Sequence, residues 1–161
     1  MRILGIRVSP NTASFIVYCN ELKTLVCTDV IRIPATLDTP EKLKYVRNNI
    51  LDILRFYEVN HAVIRVTESN SKNLNIDRLY IEGVIQEALS SSEVERYFTI
   101  RKTTIMSALN LTKESYKSIL DSKTNIKNID NSKFSSETNE ALLAALAMEC
   151  KLCYPHTEKP M

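Results

Sequence analysis

The hydrophobic period changes near residue 39, and that change limits the fold more than any single motif. Before it, three runs read as strands. Residues 2–8 (Arg-Ile-Leu-Gly-Ile-Arg-Val) are ended by the turn signal Ser9-Pro10-Asn11. Residues 13–19 are rich in Phe, Ile, Val and Tyr, which suit a pleated, half-buried surface. Residues 25–33 resume a β-branched run after a polar loop and stop at Pro34. Runs joined by loops this short predict an antiparallel meander.

From residue 39 the pattern becomes helical. Thr39 reads as an N-cap, Pro40 suits the first helical position, and Glu41 favours the positive end of the helix dipole. Leu43, Val46, Ile50, Ile53, Leu54 and Tyr57 recur on one helix face. Residues 61–67 then read as a compact strand. Asn75 is placed to cap a helix to about Leu89, which Ser90-Ser91-Ser92 stops, and residues 97–100 read as a fifth strand. Residues 103–109 and 114–120 read as short helices, and the Lys- and Asn-rich stretch 121–136 as a surface loop. Ser135 or Ser136 caps a last helix whose centre, Ala141 to Met148, is apolar all round and is therefore expected to be buried. With no repeat and no linker, residues 1–153 are expected to form a single domain, and 154–161 a loose tail.

Composition removes several function classes. Glycine occurs twice, at Gly5 and Gly83, too few for phosphate loops or dinucleotide fingerprints, which need several close backbone approaches. Lys and Arg number 21 against 19 acids, so a net charge of +2 provides no basic field for nucleic acid or membrane. No apolar run is long enough to span a bilayer. The first residues do not read as a signal peptide, so a cytoplasmic, reducing location is the expectation. The histidines, His61 and His156, have no nucleophile beside them by pattern, so no Ser-His-Asp arrangement is indicated.

Ile3-Leu4-Gly5-Ile6 before Arg7 resembles the first strand of RuvC-type Holliday-junction resolvases. Ala62-Val63-Ile64-Arg65 resembles their fourth strand. Residues 79–85, Tyr97-Phe98 and 102–105 resemble their second helix, fifth strand and the segment after it. Glu137-Thr138-Asn139-Glu140-Ala141-Leu142 resembles the opening of their last helix. A closer likeness is to a family of short, uncharacterised bacterial RNase H-like proteins, which share the apolar-Gly first strand and the Val-Ile-Arg strand. The resemblance implies an RNase H-like α/β fold: a mixed five-stranded sheet, three antiparallel strands then two α-crossover strands, with helices on both faces.

It also implies where a catalytic cluster would stand. Nucleases of this fold hold two divalent ions among converging carboxylates, which activate water and stabilise the leaving oxygen. Those positions correspond here to Arg7, Arg65, Glu137 and Glu140. A guanidinium stays protonated and has no lone pair to offer a metal. Glu137 and Glu140 share a helix face at i, i+3. Glu68, three residues beyond Arg65, points away unless the chain has turned by then. The expectation is a degenerate cleft of Arg7, Arg65, Glu68, Glu137 and Glu140, with no catalytic residue, no metal and no cofactor. The arginines either pair with these acids and neutralise the cleft or converge to hold an anion such as a phosphate.

Two further features carry candidate roles. Cys150 and Cys153 with His156 have half the spacing of a zinc site, which Cys19 and Cys27 would complete, while the alternative is buried free thiols. The helix after Asn75 has two apolar stripes. Leu74, Ile81, Ile85 and Ala88 form one. Ile76, Leu79, Tyr80 and Val84 form another, surplus for a monomer, with Gly83 permitting close approach of a second helix. In the resembled resolvases this helix lies in the homodimer interface; the alternative packs it between the sheet and residues 103–120. Together these predict a non-catalytic binding or scaffolding module, a homodimer or small subunit of an assembly, with nucleic acid a candidate partner and no membrane. The alternatives are a nuclease using Glu68, Glu137 and Glu140, and an anion- or nucleotide-binding regulator.

Overall fold

A computed structural model describes residues 1–153. The elements run β1 (Arg2–Val8), β2 (Thr12–Cys19), β3 (Thr24–Arg32), α1 (Thr39–Phe56), β4 (His61–Arg65), α2 (Ile76–Ser90), β5 (Arg96–Ile100), α3 (Lys102–Leu109), α4 (Lys113–Leu120) and α5 (Ser136–Cys153). One five-stranded sheet has the order β3-β2-β1-β4-β5. β1, β2 and β3 pair antiparallel; β4 lies parallel to β1, and β5 parallel to β4. This is the RNase H-like architecture expected from the element order. No helix among the described residues is long and apolar enough to cross a membrane.

Strand alternation sends side chains into two cores. Leu4, Ile6, Ala62 and Ile64 meet α1 and α2 on one face. Ile3, Val63 and Ile100 meet α3, α4 and α5 on the other. The run Ala141 to Met148 is buried throughout, as its all-round apolar pattern predicts. It comes very near the sheet at Gly5. A Cβ there would lie 2.1 Å from the Ala141 carbonyl oxygen, so only glycine lets α5 rest on β1 at this point.

Several local expectations shift. Asp38, not Thr39, caps α1: its side chain accepts from the Glu41 N–H, and Glu41 reaches back to the Asp38 N–H to complete a capping box. The stretch after α4 is not purely surface. Ile129 and Asn131 are buried, and the Asn131 amide donates to the Ile119 carbonyl at 3.2 Å and to Asn139 Oδ1 at 2.9 Å. Asn139 in turn donates to the Leu120 carbonyl at 3.1 Å. The end of α4 is buried against α5, so its last carbonyls need side-chain donors in place of water. Nor is α2 packed between the sheet and residues 103–120. It lies beside α1 on the opposite face from α3 and α4. Leu74 precedes the helix and is exposed, leaving Ile81, Ile85, Ala88 and Leu89 as the inward stripe.

Candidate functional site

β1 and β4 run parallel with Arg7 directly beside Arg65, at the carboxyl ends of both strands. Counting by twos from Ile3 and Val63, both side chains point to the α5 face. Gly5 brings α5 close there, and the residue before its Ala141 contact is Glu140. Local packing therefore places one carboxylate between two guanidiniums.

Glu140 Oε2 lies 3.4 Å from Arg7 Nε and 3.1 Å from Arg65 Nε. The Tyr116 hydroxyl donates to the same oxygen at 3.4 Å. Arg65 Nη2 meets Glu68 Oε1 at 3.1 Å, and that oxygen also accepts from the Lys102 N–H at 3.0 Å. Arg7 Nη1 donates to the Arg65 carbonyl at 3.0 Å, and Arg65 Nη1 to the Val66 carbonyl. Both arginines are buried, at 8% and 4% exposure. Burial is the main reason that the Arg7 pKa is pushed down to about 10, with the charges of Arg65 and Arg78 adding to it against the pull of Glu140. Burial, then the Glu140 charge, pushes the Tyr116 hydroxyl up to about 12.

Four of the five cleft residues named from the sequence thus meet: Arg7, Arg65, Glu68 and Glu140. Glu68 joins because β4 ends at Arg65 and the chain turns before it. Glu137 does not. Three residues earlier on α5, it stands about 4.5 Å further along the helix axis. It accepts from Ser136 Oγ at 3.3 Å and makes no ion pair among the described residues. The sharing of a helix face with Glu140 gives the right direction but the wrong depth.

This set does not fit the divalent ions that the resemblance implies. Two of the positions carry fixed cations that would repel such an ion, and the available acids are already engaged by them. Among the described residues no group of three His, Cys, Asp or Glu side chains stands together as metal ligands would. The zinc grouping does not assemble either. Cys27 packs on the α1 side of the sheet, accepting from the Tyr57 hydroxyl at 3.1 Å, away from Cys150 and Cys153 on α5. His156 lies outside the described residues.

Two charged groups escaped the sequence reading. Glu82 on α2 is buried and accepts from the Thr67 N–H and hydroxyl, each at 2.8 Å, fixing the turn that returns Glu68 to the cleft. At the far end of α5, Glu149 is buried and accepts from Lys23 Nζ and, at 3.2 Å, from Asn20 Nδ2, with Lys127 Nζ 3.6 Å from its other oxygen. Burial pushes its pKa up, but the bonds from Lys23 and Asn20 and the Lys127 charge outweigh this and hold it below its ordinary value. A buried Glu flanked by apolar residues on its own helix was the available signal; its partners come from distant segments.

The α2 outer stripe is open: Ile76, Leu79 and Tyr80 are exposed, Val84 is half-buried, and a Cβ at Gly83 would meet nothing within 4 Å. No close approach inside the chain therefore explains that glycine.

No family model matches the chain, and no curated protein sequence matches it. Solved structures do. Thermus thermophilus RuvC superposes with a TM-score of 0.75 at 17% identity, over 100% of both chains. The same enzyme in complex with Holliday junction substrate gives 0.74 at 17% identity, over 100% of this chain and 99% of that one. The yeast mitochondrial Holliday junction resolvase gives 0.58 at 14% identity, over 96% and 82%. At these identities the likeness establishes the fold: this chain has the RNase H-like fold of the Holliday junction resolvases.

Proposed function

We propose that this chain is a non-catalytic counterpart of the resolvase fold, a binding or scaffolding module that acts as a homodimer or as a small subunit of a nucleic-acid-handling assembly. The observation that carries the reading is Glu140 held between Arg7 and Arg65, where the fold's nucleases hold metal ligands. A cluster closed by its own ion pairs has little left to seat a divalent ion. It offers a phosphate little access either, because both arginines are buried and three of their nitrogens already meet Glu68 and two carbonyls. That disfavours the anion-binding alternative. The exposed α2 stripe of Ile76, Leu79 and Tyr80, with Gly83 open beside it, supports a partner surface.

The test is cleavage of branched and single-stranded DNA with magnesium or manganese, with Glu140→Gln as control. The expected result is no metal-dependent cleavage. Cleavage abolished by E140Q overturns the reading. In parallel, the Arg7→Asp, Arg65→Glu double variant restores carboxylates at both strand ends and is expected to gain magnesium binding by calorimetry. Failure to gain it breaks the equivalence between this cleft and a metal site.

A further inference from the structure

β5 is an edge of the sheet, bonded to β4 on one side only. Arg96, Tyr97, Phe98 and Thr99 are all exposed, the two aromatics at 46% and 40%. An edge with free main-chain groups and exposed aromatics on both faces is a template for another strand. We propose that β5 pairs antiparallel with β5 of a second copy, across a two-fold axis centred on Phe98. The proposal rests on the self-association in the reading above, and it gives that association a second surface.

The main chain sets which residues are available. The Val66 N–H donates to the Ile100 carbonyl at 3.1 Å, so the Ile100 main-chain groups face β4. Alternation turns those of Phe98 the same way and those of Tyr97 and Thr99 toward the open side. With the axis at Phe98, Tyr97 stands opposite Thr99 of the copy, and these two exchange the main-chain bonds. Phe98 stands opposite its own copy in a non-hydrogen-bonded pair, the closer kind, with Cα atoms about 4.5 Å apart.

Charge complementarity supports this register. One step outside the strand, Glu95 falls opposite Arg101 of the copy, and Arg101 opposite Glu95, which gives an ion pair at each end of the seam. Glu95 and Arg101 are both exposed, and Arg101 makes no ion pair among the described residues. An axis at Tyr97 moves the match outward to Glu93 and Arg101, beyond the first residue of the strand. An axis at Thr99 sets Arg96 against Lys102, and one at Arg96 sets that arginine against itself, both like-charge contacts. The result is one continuous sheet through two chains. Both copies of α2 lie on one face of it, and Leu79, which lines the same groove as Thr99, borders the seam.

Light scattering on the full chain, coupled to size exclusion, tests this. Arg101→Glu and Glu95→Arg are each expected to weaken the dimer about tenfold, because each turns two attractive cross-strand pairs repulsive. The double variant is expected to restore it. Glu95 also faces His61 at 3.6 Å, so the Arg101 arm isolates the intermolecular effect. Phe98→Cys is expected to cross-link to itself under mild oxidation, with the joined peptides identified by mass spectrometry. A monomeric wild type overturns the proposal, as does a dimer indifferent to R101E or one in which F98C does not cross-link. Tyr80→Glu separates the two surfaces: a dimer lost with Y80E but untouched by R101E overturns strand pairing and leaves association through α2 standing.

Discussion

On one face of the sheet α5 rests against β1 with no space between them; on the other, α2 turns half its apolar surface outward. The two glycines mark the contrast. Gly5 is required by the chain's own packing, since a methyl group would strike the Ala141 carbonyl. Gly83 meets nothing, although a mid-helix glycine costs about 0.5–1 kcal/mol relative to alanine. One face is closed within the chain, and the other keeps Ile76, Leu79 and Tyr80 exposed.

The largest effect expected from disturbing this contrast is Gly5→Ala. The clash is with backbone on both sides, so the destabilisation should exceed about 4 kcal/mol, read as a lowered denaturant midpoint or loss of folding. A tolerated G5A would mean that α5 is free to move off the sheet. Next comes Glu140→Gln on the same face. It strands Arg7 and leaves Arg65 with Glu68 alone, an expected loss of about 3 kcal/mol by denaturant titration.

A smaller, pH-dependent effect is expected at the other end of α5. The Glu149 pKa is below its ordinary 4.5 in the folded chain, so its stabilisation is present above that value and lost as pH falls through the folded pKa. Thermal melts should therefore show a steeper acid decline for the wild type than for Glu149→Gln below about pH 4.5. Smallest is Gly83→Ala, expected to raise monomer stability by about 0.5–1 kcal/mol while weakening any association through α2. A destabilising G83A would remove the argument for an external contact at that helix.

The order of elements along the chain was legible because its signals are local: a strand-period run, a helix-period run and their stops each lie within one segment, while the sheet they form was implied by the resemblance. The same holds for the buried α5, whose apolar run leaves no solvent face. The resemblance also placed Arg7 and Arg65 at the ends of adjacent strands. What could not be read depends on depth and on where a strand stops. The strand pattern runs to Thr67, yet β4 ends at Arg65 with a last bond from the Val66 N–H to β5, and Glu68 then turns back to Arg65. Glu137 and Glu140 look equivalent at i, i+3, yet Glu140 meets both guanidiniums and Glu137 meets neither. Glu149, Lys23 and Lys127 share no local pattern, so only the assembled fold joins them. Asn131 sits in a polar stretch and is fully buried because its amide substitutes for water at the end of α4.

The shared carboxylate also constrains how this sequence can drift. Exchange of Arg7 alone for an acid sets a like charge against Glu140 while Arg65 still bars a divalent ion; exchange of Arg65 alone does the mirror image. Each single step weakens the fold without seating a metal, so the two sites are strongly epistatic. Seating a metal here therefore takes both exchanges, by way of an intermediate expected to be less stable than either end. The pair of guanidiniums would therefore act as a ratchet, since neither is exchanged alone without cost to the fold.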